Sequence, residues 1–404
     1  MPLSPVPEIL DELRNGRVVV LVDDEARENE GDFICAAEHV SIEVINFMTR
    51  VGGGYLCVAM TGADCDRLSL VPQASINTSV RGTPFTVSVD GHPRHGVGTG
   101  ISARDRVRSI QLLIDPSTTP DDFVRPGHIN PLRARDGGVL VRTGQTEGSV
   151  DLCRLAGLHP TSLLIEVVRP DGEMARMPDL ERLCAEHGLK MCSVEQVIEY
   201  RLQRETLISR IEPRGGSPIE TPCGCFNLIA YQSQVDALPH LALTVGGVGD
   251  LDDSGSVVPH HEPVLVRMHR RDLLGDIFDE RSHPSGQQLR SSLRQIQRAG
   301  RGALVYLRPE GSGDDFRARL QRIRRPETDD VNVPDLTRVE GMGGRAQPMD
   351  RRDFGVGGQI LRDLGLSRLR VLTNSPKNMP GLHAFGLEIV DQVAIEAEQR
   401  QEVG

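Results

Sequence analysis

The sequence predicts a protein of two mixed α/β (α+β) domains. The length of 404 residues exceeds the roughly 150 residues of a typical domain. Short apolar runs rich in β-branched residues alternate with segments of helical period, as expected when helices pack on sheets. A segment rich in proline and glycine interrupts this alternation once, near the middle of the chain.

The first domain is predicted to span residues 1–205. Its strands are expected from apolar, β-branched runs, and its helices from apolar residues three or four positions apart. The expected strands are Val18–Val22, Leu56–Met60, Phe85–Val89 and Val139–Val141. The expected helices include Ile42–Arg50 and Met177–His187.

Residues 206–220 are predicted to form a linker, because Pro213, Gly215, Gly216 and Pro218 disfavour regular structure. The second domain is expected at residues 221–393, followed by a polar tail at 394–404. Its predicted strands are Phe226–Tyr231, Val264–Met268, Ala303–Leu307 and Leu369–Thr373, and its predicted helices are Gly286–Ala299 and Gly357–Leu364.

Composition excludes several classes of protein. The net charge of −11 argues against binding nucleic acid through its phosphates, which favours a small-molecule substrate. No apolar run approaches the roughly 20 residues that span a bilayer, so no membrane contact is expected. The amino terminus lacks the pattern of a secretory signal, which favours the cytoplasm. The eight cysteines all lie at or before Cys225 and form no dense disulfide framework.

An acidic segment directly follows the first expected strand. Asp23–Asp32 reads DDEARENEGD and contains six carboxylates within ten residues. Such charges repel one another unless they are solvated or share a cation. The segment is therefore either an acidic surface loop or, because Gly31 lets the backbone turn at a strand end, a metal-binding loop.

A second segment, Arg142–Asp151, reads RTGQTEGSVD and is expected to lead from a strand into a helix. Thr146 is predicted to cap that helix, with backbone amides directed at an anion such as phosphate. The planar guanidinium of Arg142 suits the same ligand. An ordinary capped turn explains this spacing equally well.

Together these segments resemble 3,4-dihydroxy-2-butanone 4-phosphate synthase, an enzyme of riboflavin synthesis. The resemblance covers about residues 6–203. It rests on six ordered blocks: RENEGD at 27–32, PFTV at 84–87, TGISARDR at 99–106, RPGHINPLRA at 125–134, GGVLVRTGQTEGSVDL at 137–152, and Glu166 within LLIEV.

The resemblance implies a lyase that converts D-ribulose 5-phosphate to 3,4-dihydroxy-2-butanone 4-phosphate and formate, using Mg²⁺ or Mn²⁺, as a homodimer. It implies catalytic roles for Glu166, Asp32 and Glu28. Glu28 and Gln145 would bind the metal. The implied substrate-binding residues are Arg27, Asp32, Arg142, Thr143, Gly144, Gln145, Thr146 and Glu166.

The chain departs from the family pattern at Gln145. The family usually reads GHTE where this chain has Gly144, Gln145, Thr146 and Glu147. A glutamine offers Mg²⁺ a neutral oxygen ligand but cannot exchange a proton near neutral pH. If the family histidine only binds metal, activity should survive this replacement, which is the outcome expected here.

Residues 221–393 resemble GTP cyclohydrolase II. The matching blocks are FNLIAYQS at 226–233, LVRMHRRDLLGDIF at 265–278, GRGALVYLRPEG at 300–311, DRRDFGVGGQILRDLG at 350–365 and LTNSPK at 372–377. In that family three cysteines bind a hydrolytic zinc, a site that needs three protein ligands and a water.

Asp272, His283 and Ser285 occupy the three cysteine positions, and a serine hydroxyl is a poor zinc ligand. Asp350 and Arg352 match the family's general base and nucleophile, or persist as structural charges. The second domain is therefore predicted to be a degenerate cyclohydrolase without zinc. The alternatives are a bifunctional enzyme, and a decayed scaffold or nucleotide-binding regulatory protein.

Overall fold

The computed structural model describes residues 3–23, 28–79, 82–279, 285–309, 351–374, 382 and 385–396. The chain divides into two compact units between Arg201 and Leu202. Each unit has its own sheet and its own helices, so the predicted α/β (α+β) fold class is confirmed. Across these residues, every helix is too short or too polar to cross a bilayer.

The first unit is built on strands β1 (Val19–Val22), β2 (Gly31–Ala36), β3 (Cys57–Met60), β4 (Val89–Gly91), β5 (Phe123–Arg133), β6 (Ser162–Glu166) and β7 (Met191–Ser193). Its helices are α1 (Val6–Arg14), α2 (Ile42–Phe47), α3 (Gly62–Arg67), α4 (Ala103–Ile114), α5 (Gln145–Leu155), α6 (Met177–His187) and α7 (Val194–Leu202).

The strands of this unit form one mixed sheet in the order β4-β5-β3-β6-β2-β1-β7. β2 is antiparallel to both of its neighbours, whereas β3 and β5 are parallel. The central strands β1 and β2 are buried along their whole length, as expected for strands covered on both faces. The antiparallel register of β2 and β6 places the carboxyl end of β6 beside the start of β2.

Helix α6 matches its predicted bounds because its sequence contains both boundary signals. Pro178 lies in the first turn, where its missing N–H costs nothing. Gly188 ends the helix in the left-handed conformation, with φ of 64°. Leu180 and Cys184, four residues apart, are buried against the sheet.

The second unit contains strands β8 (Ile208–Arg210), β9 (Ser217–Thr221), β10 (Gly224–Ser233), β11 (His240–Val245), β12 (Val264–Arg270), β13 (Gly302–Leu307), β14 (Arg368–Leu372) and β15 (Glu388–Val393). Its described helices are α8 (Leu273–Phe278), α9 (Ser285–Ala299) and α10 (Arg351–Asp363). The sheet order is β15-β14-β12-β13-β11-β10-β8, and β9 pairs with β10.

The predicted linker at 206–220 is wrong as a structural assignment. β8 and all but the last residue of β9 lie in this range, and both strands pair with β10 as antiparallel strands. Proline and glycine are tolerated here because edge strands leave part of their backbone unpaired within the sheet. The proline-rich segment is therefore an edge of the second sheet.

The predicted polar tail also begins too early. Ile395 is buried in the core of the second unit. The Ser291 hydroxyl donates to the carbonyl oxygen of Glu396 at 2.6 Å. Residues 394–396 are therefore packed against α9, and residues 397–404 lie outside the described part of the chain.

The predicted strand Val139–Val141 is a short 3₁₀ turn, Gly138–Leu140. Gly137 and Gly138 both have positive φ, which bends the chain out of an extended conformation. The amide of Val139 donates to the Asp151 carboxylate at 2.8 Å, so its backbone pairs with α5 and not with a neighbouring strand. A short apolar run cannot by itself distinguish these two outcomes.

Candidate active site

Two acidic side chains lie opposite each other on adjacent strands of the first sheet. Asp32, near the start of β2, is the register partner of Glu166, the last residue of β6. Directly opposed residues of an antiparallel pair have neighbouring side chains on the same face. Asp32 is buried. The fold therefore brings together two of the predicted catalytic residues, which are 134 positions apart in the sequence.

The carboxyl group of Asp32 is held in an unfavourable environment for a negative charge. Burial, followed by the charges of Glu166, Glu28, Glu30 and Asp23, raises its pKa well above the ordinary value. Burial and the neighbouring Glu28 likewise raise the pKa of Glu30. Such a cluster favours protonation of one member or the binding of a cation.

Glu28 lies in a loop whose backbone is fixed by hydrogen bonds. The Asp23 carboxylate accepts from the amides of Glu28 and Glu30, at 3.1 and 2.9 Å. The Arg176 guanidinium donates to the carbonyl oxygens of Glu28 and Asn29, at 2.8 and 2.5 Å. The predicted substrate contact Arg27 lies outside the described residues.

Residues 52–55, called here the glycine strap, lie against Glu166. The amide of Gly54 donates to the Glu166 carbonyl oxygen at 3.1 Å, and the amide of Tyr55 donates to Oε2 at 2.8 Å. A Cβ atom on Gly54 would lie 2.5 Å from that carbonyl oxygen and 2.7 Å from Oε2. Only glycine permits this close approach of the backbone.

Cys57 follows the strap and begins β3. Burial and the neighbouring charges of Glu166 and Asp32 raise the pKa of its thiol. A thiol in these surroundings stays protonated, and the protonated form is a poor nucleophile. The carboxylates, and not this thiol, are therefore the candidates for proton transfer at this site.

The predicted cap of α5 by Thr146 is wrong. The N-cap is Gly144, whose φ of −118° and ψ of 161° are extended, and helix geometry begins at Gln145. Thr146 thus lies inside the first turn, and both it and Gln145 are buried. Among the described residues, no side chain caps this helix. The amides of its first turn remain suited to an anion.

Arg142 forms an ion pair that the sequence interpretation missed. Its Nη1 atom donates to Glu147 Oε2 at 2.6 Å, and the amide of Arg135 donates to the other oxygen of Glu147. Glu147 is fully buried in α5. The positive charge of Arg142 is therefore partly neutralised by the buried carboxylate of Glu147. Thr143, the next residue, is exposed.

The donor atoms at this site suit a hard divalent cation. The residues predicted to bind metal, Glu28 and Gln145, offer oxygen atoms, which Mg²⁺ prefers. In the described part of the chain, no three histidine, cysteine, aspartate or glutamate side chains converge on one point. A magnesium site needs only one or two carboxylates, since water and substrate supply the remaining ligands.

The second unit uses its predicted zinc-ligand positions for internal hydrogen bonds. Asp272 is the N-cap of α8, and its Oδ1 accepts from the amide of Gly275 at 3.2 Å. The Ser285 hydroxyl donates to Asp276 Oδ1 at 2.7 Å. His283 and Asp350 lie outside the described residues, and Arg352 is described only as part of the α10 backbone.

Asp276 is the centre of a buried network that sequence reasoning missed. Besides the bond from Ser285, its carboxylate pairs with His269 Nε2 at 2.9 Å and accepts from the Tyr306 hydroxyl at 2.7 Å. The amide of Asp272 also donates to it, at 2.9 Å. Burial opposes the charge, but these hydrogen bonds, led by that of His269, lower the pKa of Asp276 to about 2.

Known families match both units. The family of 3,4-dihydroxy-2-butanone 4-phosphate synthase matches residues 7–200, and the GTP cyclohydrolase II family matches residues 214–394. The riboflavin biosynthesis protein RibBA of Aquifex aeolicus is 42% identical over 396 residues, which cover 98% of this chain and 93% of that protein. This chain belongs to the RibBA family. Both predicted family resemblances are thereby confirmed.

Other members show the same arrangement. RibBA of Phocaeicola vulgatus is 41% identical over 398 residues, covering 98% of this chain and 93% of that protein. The solved structure of RibBX from A. baumannii, a two-domain 3,4-dihydroxy-2-butanone 4-phosphate synthase, is 30% identical, with a TM-score of 0.75. It covers 98% of this chain and 100% of its own. The chain is therefore an enzyme of riboflavin biosynthesis with a 3,4-dihydroxy-2-butanone 4-phosphate synthase domain.

Proposed function

We propose that the first domain converts D-ribulose 5-phosphate to 3,4-dihydroxy-2-butanone 4-phosphate and formate, with Mg²⁺ or Mn²⁺ bound by Glu28 and Gln145. The observation that carries this proposal is the pairing of the buried Asp32 with the half-buried Glu166 on adjacent strands. The reaction must move protons beside a carbonyl group. A carboxyl group whose pKa is raised exchanges protons more readily near neutral pH.

In this mechanism the chain's own residues bind the sugar phosphate and exchange its protons. Glu166 accepts a proton from the carbon beside the carbonyl, and Asp32 returns a proton to the substrate. Arg27, Arg142 and Thr143, with the amides of Gly144, Gln145 and Thr146, bind the phosphate. The bound cation would polarise the carbonyl and hydroxyl oxygens of the substrate. The five carbons are divided between a four-carbon ketone phosphate and formate. The water that leaves the sugar is added back when the bond to the formate carbon breaks, so the atoms balance without a further reactant.

The test is formate release from D-ribulose 5-phosphate, measured with added Mg²⁺ and after chelation. Glu28→Ala is expected to abolish Mg²⁺-dependent release. Glu186→Ala, which removes an exposed carboxylate of α6, is the matched control and should behave as wild type. No turnover by wild type above the background of Glu28→Ala would exclude the lyase and favour a scaffold role, whereas equally high release by both would exclude Glu28 as the metal ligand.

We further propose that the second domain does not hydrolyse GTP. Two features support this proposal: Asp272 caps α8, and Ser285 donates to Asp276. Beyond Cys225 the sequence also has no cysteine with which to bind zinc. The domain would instead stabilise a homodimer, dock another enzyme of the pathway or bind a regulatory nucleotide.

Zinc content distinguishes this proposal from a bifunctional enzyme. After dialysis the full chain is expected to contain far less than one zinc per chain and to release no formate from GTP. Stoichiometric zinc together with turnover of GTP would establish the bifunctional alternative. The homodimer and the cytoplasmic location stay predictions.

A further inference from the structure

Tyr55 has an exposed ring but an anchored hydroxyl group. The residue is 56% exposed, and a side chain exposed to this extent is normally free to change rotamer. Its hydroxyl nevertheless donates to Asn130 Oδ1 on β5 at 2.8 Å. Asn130 is buried, and its Nδ2 donates to the carbonyl oxygen of Leu56 at 3.2 Å. The side-chain amide of Asn130 therefore hydrogen-bonds both Tyr55, the last residue of the glycine strap, and Leu56, which follows the strap.

The backbone of Tyr55 is hydrogen-bonded to the proposed catalytic carboxylate. Its amide donates to Glu166 Oε2 at 2.8 Å. Tyr55 thus connects β5, through its side chain, to the end of β6, through its main chain. This hydrogen bond reaches a carboxylate oxygen of Glu166 directly.

The strap needs such an anchor because three consecutive glycines precede Tyr55. Glycine loses more backbone entropy on ordering than any other residue, so residues 52–54 favour mobility, which the bonds from the Val168 amide to Gly52 and from the Gly54 amide to Glu166 already oppose in part. Glu166 also lies opposite Asp32, and the two carboxylates repel each other. Fixing the Tyr55 amide opposes both the mobility and the repulsion.

We propose that Tyr55 and Asn130 are positioning residues that hold the Glu166 carboxylate beside Asp32 for the synthase reaction. This inference rests on the proposed catalytic role of Glu166. Tyr55 acts through its main-chain amide, and Asn130 acts through the Tyr55 hydroxyl. The pair sets the rate of the proton-transfer step and leaves the binding of the phosphate end of the substrate unchanged.

The first test compares kcat with KM. Tyr55→Phe deletes only the hydroxyl, and Asn130→Leu removes its partner in a similar volume. Tyr55→Phe is expected to lower kcat about fivefold, the effect of losing one hydrogen bond, with KM within about twofold of wild type. Asn130→Leu, which also removes the bond to the Leu56 carbonyl oxygen, is expected to lower kcat at least as much with KM likewise unchanged. Because both changes remove the same bond, the double variant should be no slower than the slower single variant.

Thr86→Val is the matched control. Thr86 is buried and its hydroxyl donates to the Pro131 carbonyl oxygen at 3.0 Å, so this variant also deletes a hydroxyl bond to β5. Thr86 makes no described contact with Glu166. Its kcat should stay within about twofold of wild type. Should Asn130→Leu fail to fold, the exposed Tyr55→Phe still provides the test.

Amide hydrogen exchange gives a second measurement that does not depend on activity. The amides of Gly54 and Tyr55 should exchange about fivefold faster in Tyr55→Phe than in wild type, and at the wild-type rate in Thr86→Val. An active wild type with unchanged kcat or unchanged exchange in Tyr55→Phe overturns this inference alone. An inactive wild type overturns the proposed function and this inference with it.

Discussion

Each unit contains an aspartate whose side chain is buried, but the surroundings of these two aspartates are opposite. Asp32 faces other carboxylates, which together with burial raise its pKa. Asp276 accepts hydrogen bonds from four groups, and those of His269, the Asp272 amide and Ser285 lower its pKa to about 2 despite burial. Unfavourable charge of the first kind is typical of functional sites, whereas the charge of the second aspartate is satisfied inside the protein.

The comparison predicts its largest effect at Glu166. Glu166→Gln keeps an oxygen for the Tyr55 amide but cannot accept a proton, so formate release should fall at least about 100-fold. The free energy of unfolding should not fall, because the change removes a charge that repels Asp32. Thermal unfolding and formate assays on the same preparation check both outcomes. A stable variant with wild-type activity would show that Glu166 is not catalytic.

The second prediction concerns Asp276, whose carboxylate is hydrogen-bonded within the protein. Asp276→Asn loses a charged acceptor and should lower the free energy of unfolding by about 2 kcal/mol. Formate release from D-ribulose 5-phosphate should stay within about twofold of wild type. Asp391→Asn, on the exposed part of β15, is the control for removing a charge from the same domain. Denaturant unfolding of the full chain measures the difference, and equal stabilities would contradict the role given to the network.

The pH dependence of that stability follows from the direction of the shift. The Asp276 pKa falls from 3.8 to about 2 on folding, so the unfolded chain binds more protons between these values. The stabilisation is fully present above about pH 4 and is lost as pH falls towards 2. The difference in unfolding free energy between wild type and Asp276→Asn should shrink over this window. A difference that persists unchanged at pH 2 would argue against ionisation as its cause.

The smallest effect is expected at Gln145. Gln145→His replaces an oxygen ligand with an imidazole at a buried position in the first turn of α5. Affinity for Mg²⁺ and turnover should be preserved or rise, within about fivefold. Titration of formate release with Mg²⁺ measures both quantities. A large fall in both would mean that the glutamine is adapted to this site in a manner that its ligand chemistry does not explain.

Local sequence signals predicted the elements whose boundaries they contain. Met177–His187 has a proline in its first turn and a glycine after its last residue, and the helix has the predicted bounds. The apolar runs at β1, β3 and β12 become strands as expected. The pattern fails at Val139–Val141, where the partner of the backbone is the Asp151 carboxylate. An apolar run cannot encode that contact, because the contact depends on Asp151, which lies outside the run in helix α5.

The features of the candidate site likewise divide into those that the sequence predicts and those that only the folded structure shows. The acidic segment, Glu166 and the missing cysteines can be read directly from the chain. The bond between Tyr55 and Asn130 joins residues 75 positions apart, and it exists because β3 and β5 are adjacent parallel strands. The Asp276 network likewise requires β12, β13, α8 and α9 to meet around one side chain.

By itself, then, the sequence determined which chemical groups this protein has: a cluster of carboxylates in the first half, and no cysteine beyond Cys225 in the second. Only the tertiary structure decided which groups meet, and therefore which carboxyl groups carry unfavourable charge. The reason is physical: side-chain identity sets what a group can donate, accept or ionise. Its pKa and its partners depend on burial and on neighbours that the folded sheet brings from distant parts of the chain.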